Sequence, residues 1–333
     1  MTDQNVQTLT AWQAYRMRLK RRRLLWRSFR SRHQLSVVND RTSAIGSDDI
    51  LMFAVVRNER ERLDEFLDHY RSLGVGHALI IDNGSDDGSL EYLAAQKDVS
   101  LWETQSSYRA SRFGLDWVSW LLMRFGHGHW CLTVDADEYL MYSGSETHDL
   151  QELTAHLDQL GKSAFGALML DLYPKGPIGQ EKANWFDQGP YRASRQLPVQ
   201  NLWVQGGARE RIYFNDAPER SPTLNKLPLV KWNRRHCYVN STHALLPPRL
   251  NYEYGGPGRD GCAGVLLHRK FDPSIVSKSE TERARGEHFG NPTEFADYYD
   301  KIAERSEMWS PASIMLESSQ QLVDLDLMPG IEW

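Results

Sequence analysis

ILMFAVVRNERERLDEFLDHYRSLGVGHALIIDNGSDDG, residues 50–88, changes character three times. Ile50 to Val56 is an unbroken apolar run bounded by charge, the pattern of a strand covered on both faces. Leu63, Phe66, Leu67 and Tyr70 then recur at helical spacing; Asn58, with Glu61 three residues on, has the chemistry of a helix cap, and Gly74 that of a stop. Ala78 to Ile81 is a second apolar strand, and Asp82-Asn83-Gly84-Ser85-Asp86-Asp87-Gly88 is a turn at its carboxyl end.

Downstream the alternation continues. A third strand is expected near Val99 to Trp102, then a helix carrying Leu115, Val118, Leu121, Leu122 and Phe125. A fourth strand, Trp130 to Val134, ends on Asp135-Ala136-Asp137-Glu138. Strands alternating with helices predict an α/β fold with a mostly parallel sheet flanked by helices. The 333 residues, 41% hydrophobic and 25% charged, suffice for one large core and are far from a disordered composition. The cysteines Cys131, Cys237 and Cys262 are too scattered for a disulfide framework or a thiolate zinc site.

Upstream the chain is basic. Through His33 there are nine Lys and Arg against Asp3 alone, +8, and the net charge of −5 leaves −13 for the remainder. Trp12, Tyr15, Leu19, Leu24, Leu25, Trp26 and Phe29 recur mostly at helical spacing, so an N-terminal basic helix is expected. Two readings stand: a membrane-surface element for an anionic bilayer, or a helix packed on the body with its arginines in water. The acidic body argues against a nucleic-acid binder. With no apolar h-region and no spanning segment, the expected location is the cytoplasm, peripheral on the inner membrane face if the arm binds lipid. The expected division is an arm, 1–48, a central domain, 49–290, split at 142/143, and a helical tail, 291–333.

Open α/β sheets bind ligands beyond the carboxyl ends of their strands. Those ends carry Glu59, Asp82, Asp86, Asp87, Asp135, Asp137 and Glu138, an acidic crevice that needs a cation before it accepts an anion. Asp135 and Asp137, one residue apart at a strand end, suit Mg²⁺ or Mn²⁺ neutralising a diphosphate. The competing reading is a solvated turn capped by Asp135.

Arg57-Asn58-Glu59, the helix through His69-Tyr70, the Asp82–Gly88 turn and Val134-Asp135-Ala136-Asp137-Glu138-Tyr139 together resemble a bacterial family 2-type glycosyltransferase, of the branch called glycosyl transferase family 2 group 4. Gly206-Gly207-Ala208-Arg209-Glu210-Arg211, Lys226 to Val230, Ser241-Thr242-His243 and Leu267-His268-Arg269-Lys270-Phe271 extend the resemblance over roughly 50–290. It implies a GT-A fold, a nucleotide-sugar donor, by first choice a UDP-sugar, a glycan or lipid-linked acceptor, and Mn²⁺ or Mg²⁺. Carried over, Asn58, Glu59, Asp82 and Asp86 would meet the nucleoside, Asp135 ribose and metal, and Asp137 and His268 the metal.

Lys270, one pleat beyond His268 and on the same face by strand alternation, and Arg109 and Arg112 after the third strand are candidates for the diphosphate. An inverting transfer, itself implied by the resemblance, needs a general base. Asp171, interrupting the apolar run Ala167 to Tyr173 where burial would raise its pKa, is one candidate, and Glu210, between two arginines, the other. The glycine-rich stretch Tyr252 to Gly264 is read as a lid over the donor. Gly161-Lys162-Ser163 lacks the earlier glycine of a Walker A, having His156 there, and no nucleophile elbow, zincin or dinucleotide fingerprint appears. The rival functions are a nucleotide-sugar or pyrophosphate hydrolase using the same crevice, and a non-catalytic membrane-surface binding protein.

Overall fold

The structure, a computed structural model, describes residues 9–196, 198–259, 261–273 and 307–333. In chain order the first half runs α1 (Ala11–Ser31), β1 (Ser36–Asn39), β2 (Ile50–Val56), α2 (Arg60–Ser72), β3 (Val75–Asp82), α3 (Ser89–Ala95), β4 (Val99–Glu103), α4 (Leu115–Phe125), β5 (Trp130–Thr133), β6 (Glu138–Met141) and α5 (Leu150–Gln159). The second half continues with β7 (Ala164–Asp171), β8 (Trp185–Asp187), β9 (Tyr191–Gln196), β10 (Asn201–Gly206), α6 (Gly207–Tyr213), β11 (Asn225–Lys231), β12 (Cys237–Tyr238), β13 (Leu245–Leu246), β14 (Ala263–His268), β15 (Ser313–Met315) and α7 (Ser319–Asp324).

Among the described residues the main sheet has nine strands in the order β1-β4-β3-β2-β5-β11-β7-β14-β6. Six of them, β2, β3, β4, β5, β7 and β14, run one way; β1, β11 and β6 run against them. The fold is α/β, a mostly parallel sheet flanked by helices. Its centre explains the unbroken apolar run in β2. Ile50, Met52, Ala54 and Val56 pack with Leu63, Phe66, Leu67 and Tyr70 of α2, while Leu51 and Phe53 pack with Leu115, Trp117, Val118 and Leu121 of α4. Alternate side chains of one strand therefore enter two helical layers, and neither face tolerates a polar residue.

The predicted cap of α2 is corrected. Asn58 lies at φ 52, in the left-handed region, and does not cap. Its side chain instead exchanges two hydrogen bonds with Asp86, Nδ2 donating to Oδ1 at 2.8 Å and Oδ1 accepting from the Asp86 amide at 2.9 Å. Asp87 accepts from the Arg60 amide at the start of α2 (2.9 Å) and from the Ser89 amide at the start of α3 (3.0 Å).

The lid reading is also corrected. β14 is parallel to β7, so the chain entering it lies at the amino ends of these strands, opposite His268. Tyr254 is buried there against Gly166, where a Cβ would meet Tyr254 Cβ at 2.2 Å. The expected helical tail is, in its described part, β15 and α7, with Trp333 stacked on His148 at 4.2 Å. The polar helical sequence expected between Lys278 and Tyr298 lies outside the described residues.

Both readings of the basic arm concern α1, which packs on the body. Arg27 Nε donates to Asp116 Oδ2 at 2.5 Å, Ser31 Oγ donates to the Asp116 carbonyl at 3.1 Å, and Phe29 meets Trp120 edge-on. Among the described residues no helix is long and apolar enough to cross a membrane.

Candidate functional site

The segment after β5 leads to β6 at the far edge of the sheet, and on the way its carboxylates meet strands that sequence neighbours cannot reveal. Asp135 Oδ2 accepts from Lys226 Nζ of β11 at 3.1 Å, and Asp137 Oδ2 lies 3.4 Å from His268 Nε2 at the end of β14. The register sets Glu138, His268 and Asp171 side by side across β6, β14 and β7. His268 Nδ1 lies 2.7 Å from Asp171 Oδ1, and the same carboxylate binds Arg209 of α6. Arg62 of α2, 3.9 Å from Asp137, pairs with Glu59 at 3.0 Å. Asp135, Asp137 and His268 thus share one end of the sheet, but Asp135 is turned to Lys226. Among the described residues no group of three His, Cys, Asp or Glu side chains is close enough to hold a metal alone.

Charge balance decides the protonation states. Burial alone would raise the Asp137 carboxyl, but His268, Arg62 and Lys270 outweigh it and hold it well below the usual carboxylate range. Burial would lower the His268 pKa, and Asp137 and Asp171 reverse that, leaving it raised. For Asp171 the expected direction is corrected. Burial does push its pKa up, but Arg209 and His268 prevail and leave it at about 2. It is a permanent carboxylate engaged by two cations, poorly suited to take a proton, and its geometry is that of a group orienting an imidazole. Glu210 pairs with Arg192 of β9 at 2.7 Å.

The nucleoside candidates surround the ends of β2 and β3. Asp82 Oδ1 accepts from the Ser85 amide at 2.8 Å; Oδ2, equally buried, has no hydrogen-bond partner among the described residues. Asn58 and Asp86 are tied to each other. Arg112 is a correction: Asp116 binds it at 2.7 Å and the Tyr238 and Val239 carbonyls take its Nη1, which directs it toward α4 and β12 rather than the crevice. Arg109 is exposed in the loop after β4. β14 stops at His268, so strand alternation does not carry to Lys270, although its charge reaches Asp137.

Lys226 and Arg209 are site residues to which the sequence reading assigned no role. Lys226 is 3% exposed, 2.7 Å from Glu138, and its ammonium is held charged against burial by Asp135 and Glu138. A lysine inside the apolar stretch Leu224 to Val230 was the available signal, since an unpaired lysine is not buried there.

No protein-family model matches the chain, and no curated protein does. A crystal structure from Bacillus anthracis, provisionally described as a glucose-1-phosphate thymidylyltransferase in complex with a sucrose, aligns at a TM-score of 0.28 and 8% identity, covering 76% of this chain and 83% of its own. That likeness is too loose to bear on fold or chemistry.

Proposed function

We propose that the protein is a metal-dependent glycosyltransferase that moves a sugar from a nucleotide-sugar, by first choice a UDP-sugar, to a glycan or lipid-linked acceptor. The observation that carries the reading is the Asp137–His268–Asp171 row at the carboxyl end of the sheet. An imidazole whose Nδ1 side is engaged by a carboxylate presents Nε2 outward, the arrangement found behind metal-binding histidines. Here Nε2 faces a second carboxylate across 3.4 Å, close to the ~3.0–3.4 Å separating ligands that share a metal at bonds of about 2.1 Å. Two protein ligands without a third fit Mg²⁺ or Mn²⁺, which commonly complete their shells with water and substrate phosphate. Bound there, the ion would neutralise charge on the diphosphate as it leaves.

The chain's own groups supply the rest. Lys226 holds Asp135 at the rim and Arg62 holds Glu59, keeping the acidic wall from repelling itself. Transfer makes the bond from acceptor oxygen to the anomeric carbon and breaks the bond from that carbon to the diphosphate oxygen, whose electron pair leaves with the diphosphate; the acceptor's hydroxyl proton passes to solvent or to the departing diphosphate.

The test is a thermal-shift screen of UDP, GDP, CDP and dTDP, each with and without Mn²⁺, on the wild type and Asp137→Ala. A ligand at a hundredfold over its Kd adds about 2.7 kcal/mol. One nucleotide stabilising only with metal, and not in the variant, supports the reading. Stabilisation by none of them, or equal stabilisation of the variant, overturns it. Turnover of the donor that no acceptor accelerates would favour the hydrolase.

A further inference from the structure

We propose that the outward face of α1 docks on an anionic membrane surface, independently of the reaction at the crevice. The inner face of this helix is accounted for by the body. Met17, Leu24 and Leu25 pack with Cys237, Val239, Ala244 and Leu246, while Arg27, Ser31 and Phe29 engage α4.

The opposite face carries Trp12, Tyr15, Leu19 and Trp26, exposed by 66%, 49%, 45% and 61%. At 100° per residue their spacings of three, four and seven confine them to an arc of about 60°. Four large apolar side chains in one solvent-facing stripe are not the scattered exposure common on protein surfaces. Among the described residues the body covers the inner face and leaves this one open, so packing and docking are both served by a single helix.

The composition of the face selects its partner. α1 holds eight Lys and Arg and no acidic residue. Exposed Arg16 and Arg23 flank the stripe on one side and exposed Arg18 and Arg22 on the other. Trp and Tyr settle at the headgroup level of a bilayer, and flanking cations draw a helix onto anionic lipid. A second copy joined through this face by a two-fold axis would set two acid-free helices against each other, each repelling its own image.

The experiment is sedimentation of the full chain with vesicles of phosphatidylcholine alone and of phosphatidylcholine mixed with phosphatidylglycerol. Binding is expected only to the mixed vesicles, weakening as salt rises, with a blue shift of tryptophan fluorescence. Each of Arg16→Gln, Arg18→Gln, Arg22→Gln and Arg23→Gln should weaken it about fivefold. Trp12→Ser with Trp26→Ser should weaken it more than tenfold while lowering the melting temperature only slightly, because both side chains are mostly exposed and stack only on rings of their own helix, Tyr15 and Phe29. Equal binding to both vesicle types, or binding indifferent to these substitutions, overturns the proposal. So does a dimer that the tryptophan substitutions dissolve in lipid-free solution. The wild-type fluorescence shift decides the matter even if a variant folds poorly. A nucleotide-binding site that fails its own test leaves these outcomes untouched.

Discussion

Asp171 and Arg209 are an ion pair with both side chains under a tenth exposed, and such pairs are judged by what remains when one partner goes. Asp171→Asn removes the buried carboxylate that faces both the Arg209 guanidinium and the Nδ1 of His268, and should lower stability by about 3–5 kcal/mol, read by urea unfolding. Lys231 and Asp158, 2.8 Å apart but each over two-fifths exposed, provide the contrast: Lys231→Ala should cost at most about 1 kcal/mol. Lys226→Met belongs with the buried case, because it strands Glu138 at 1% exposure. The same change with Glu138→Gln should recover most of the loss, since no buried charge is then orphaned and Asp135, the other partner of Lys226, is half exposed to water.

At the scale of elements, close approach rather than chemistry governs β7. Gly166→Ala would drive a methyl group into Tyr254 and should cost about 1–3 kcal/mol with the fold retained, whereas at exposed Gly161, with nothing near its Cβ position, an alanine meets no crowding and costs only the strain of its left-handed φ of +66, about 1–2 kcal/mol. Elements with strong periodicity are legible in the sequence: β2, α2, β4, α4 and β5 lie within a residue or two of their expected places, and β3, expected from Ala78, begins three residues earlier at Val75. What was not legible depends on strands far apart in the chain. Nothing near Asp137 discloses that β14 will run beside β7 and bring His268 to it, which the resemblance supplied. Nothing in the Gly206–Arg211 segment discloses that Arg209 will reverse the pKa of Asp171. Asn58 reads as a cap because capping is local, and the structure gives it to Asp86 across another loop.

For the whole molecule, buried neutral histidines set the response to acid. Burial lowers the pKa of His236, with Arg249 and Arg21 adding to it, to about 4, and burial takes His69 and His243 to about 4 as well. Each folded value lies below the unfolded value of roughly 6.5, so the stability each contributes is present above that pH and lost as pH falls toward 4. Unfolding free energy should therefore fall between pH 6.5 and 4, by roughly 1.4 kcal/mol per pH unit for a fully buried group, and His236→Gln should flatten that slope. His268 acts oppositely: its raised pKa stabilises at low pH and its contribution fades as pH rises past that value. The central claim is that one ion joins this imidazole to a nucleoside diphosphate. Pulsed EPR of the full chain with Mn²⁺ and UDP tests it directly. The expected spectrum shows nitrogen and phosphorus couplings to the same Mn²⁺, with the nitrogen coupling lost in His268→Ala and the complex lost in Asp137→Ala. A nitrogen coupling that survives His268→Ala, or no bound Mn²⁺ in the wild type, would contradict it.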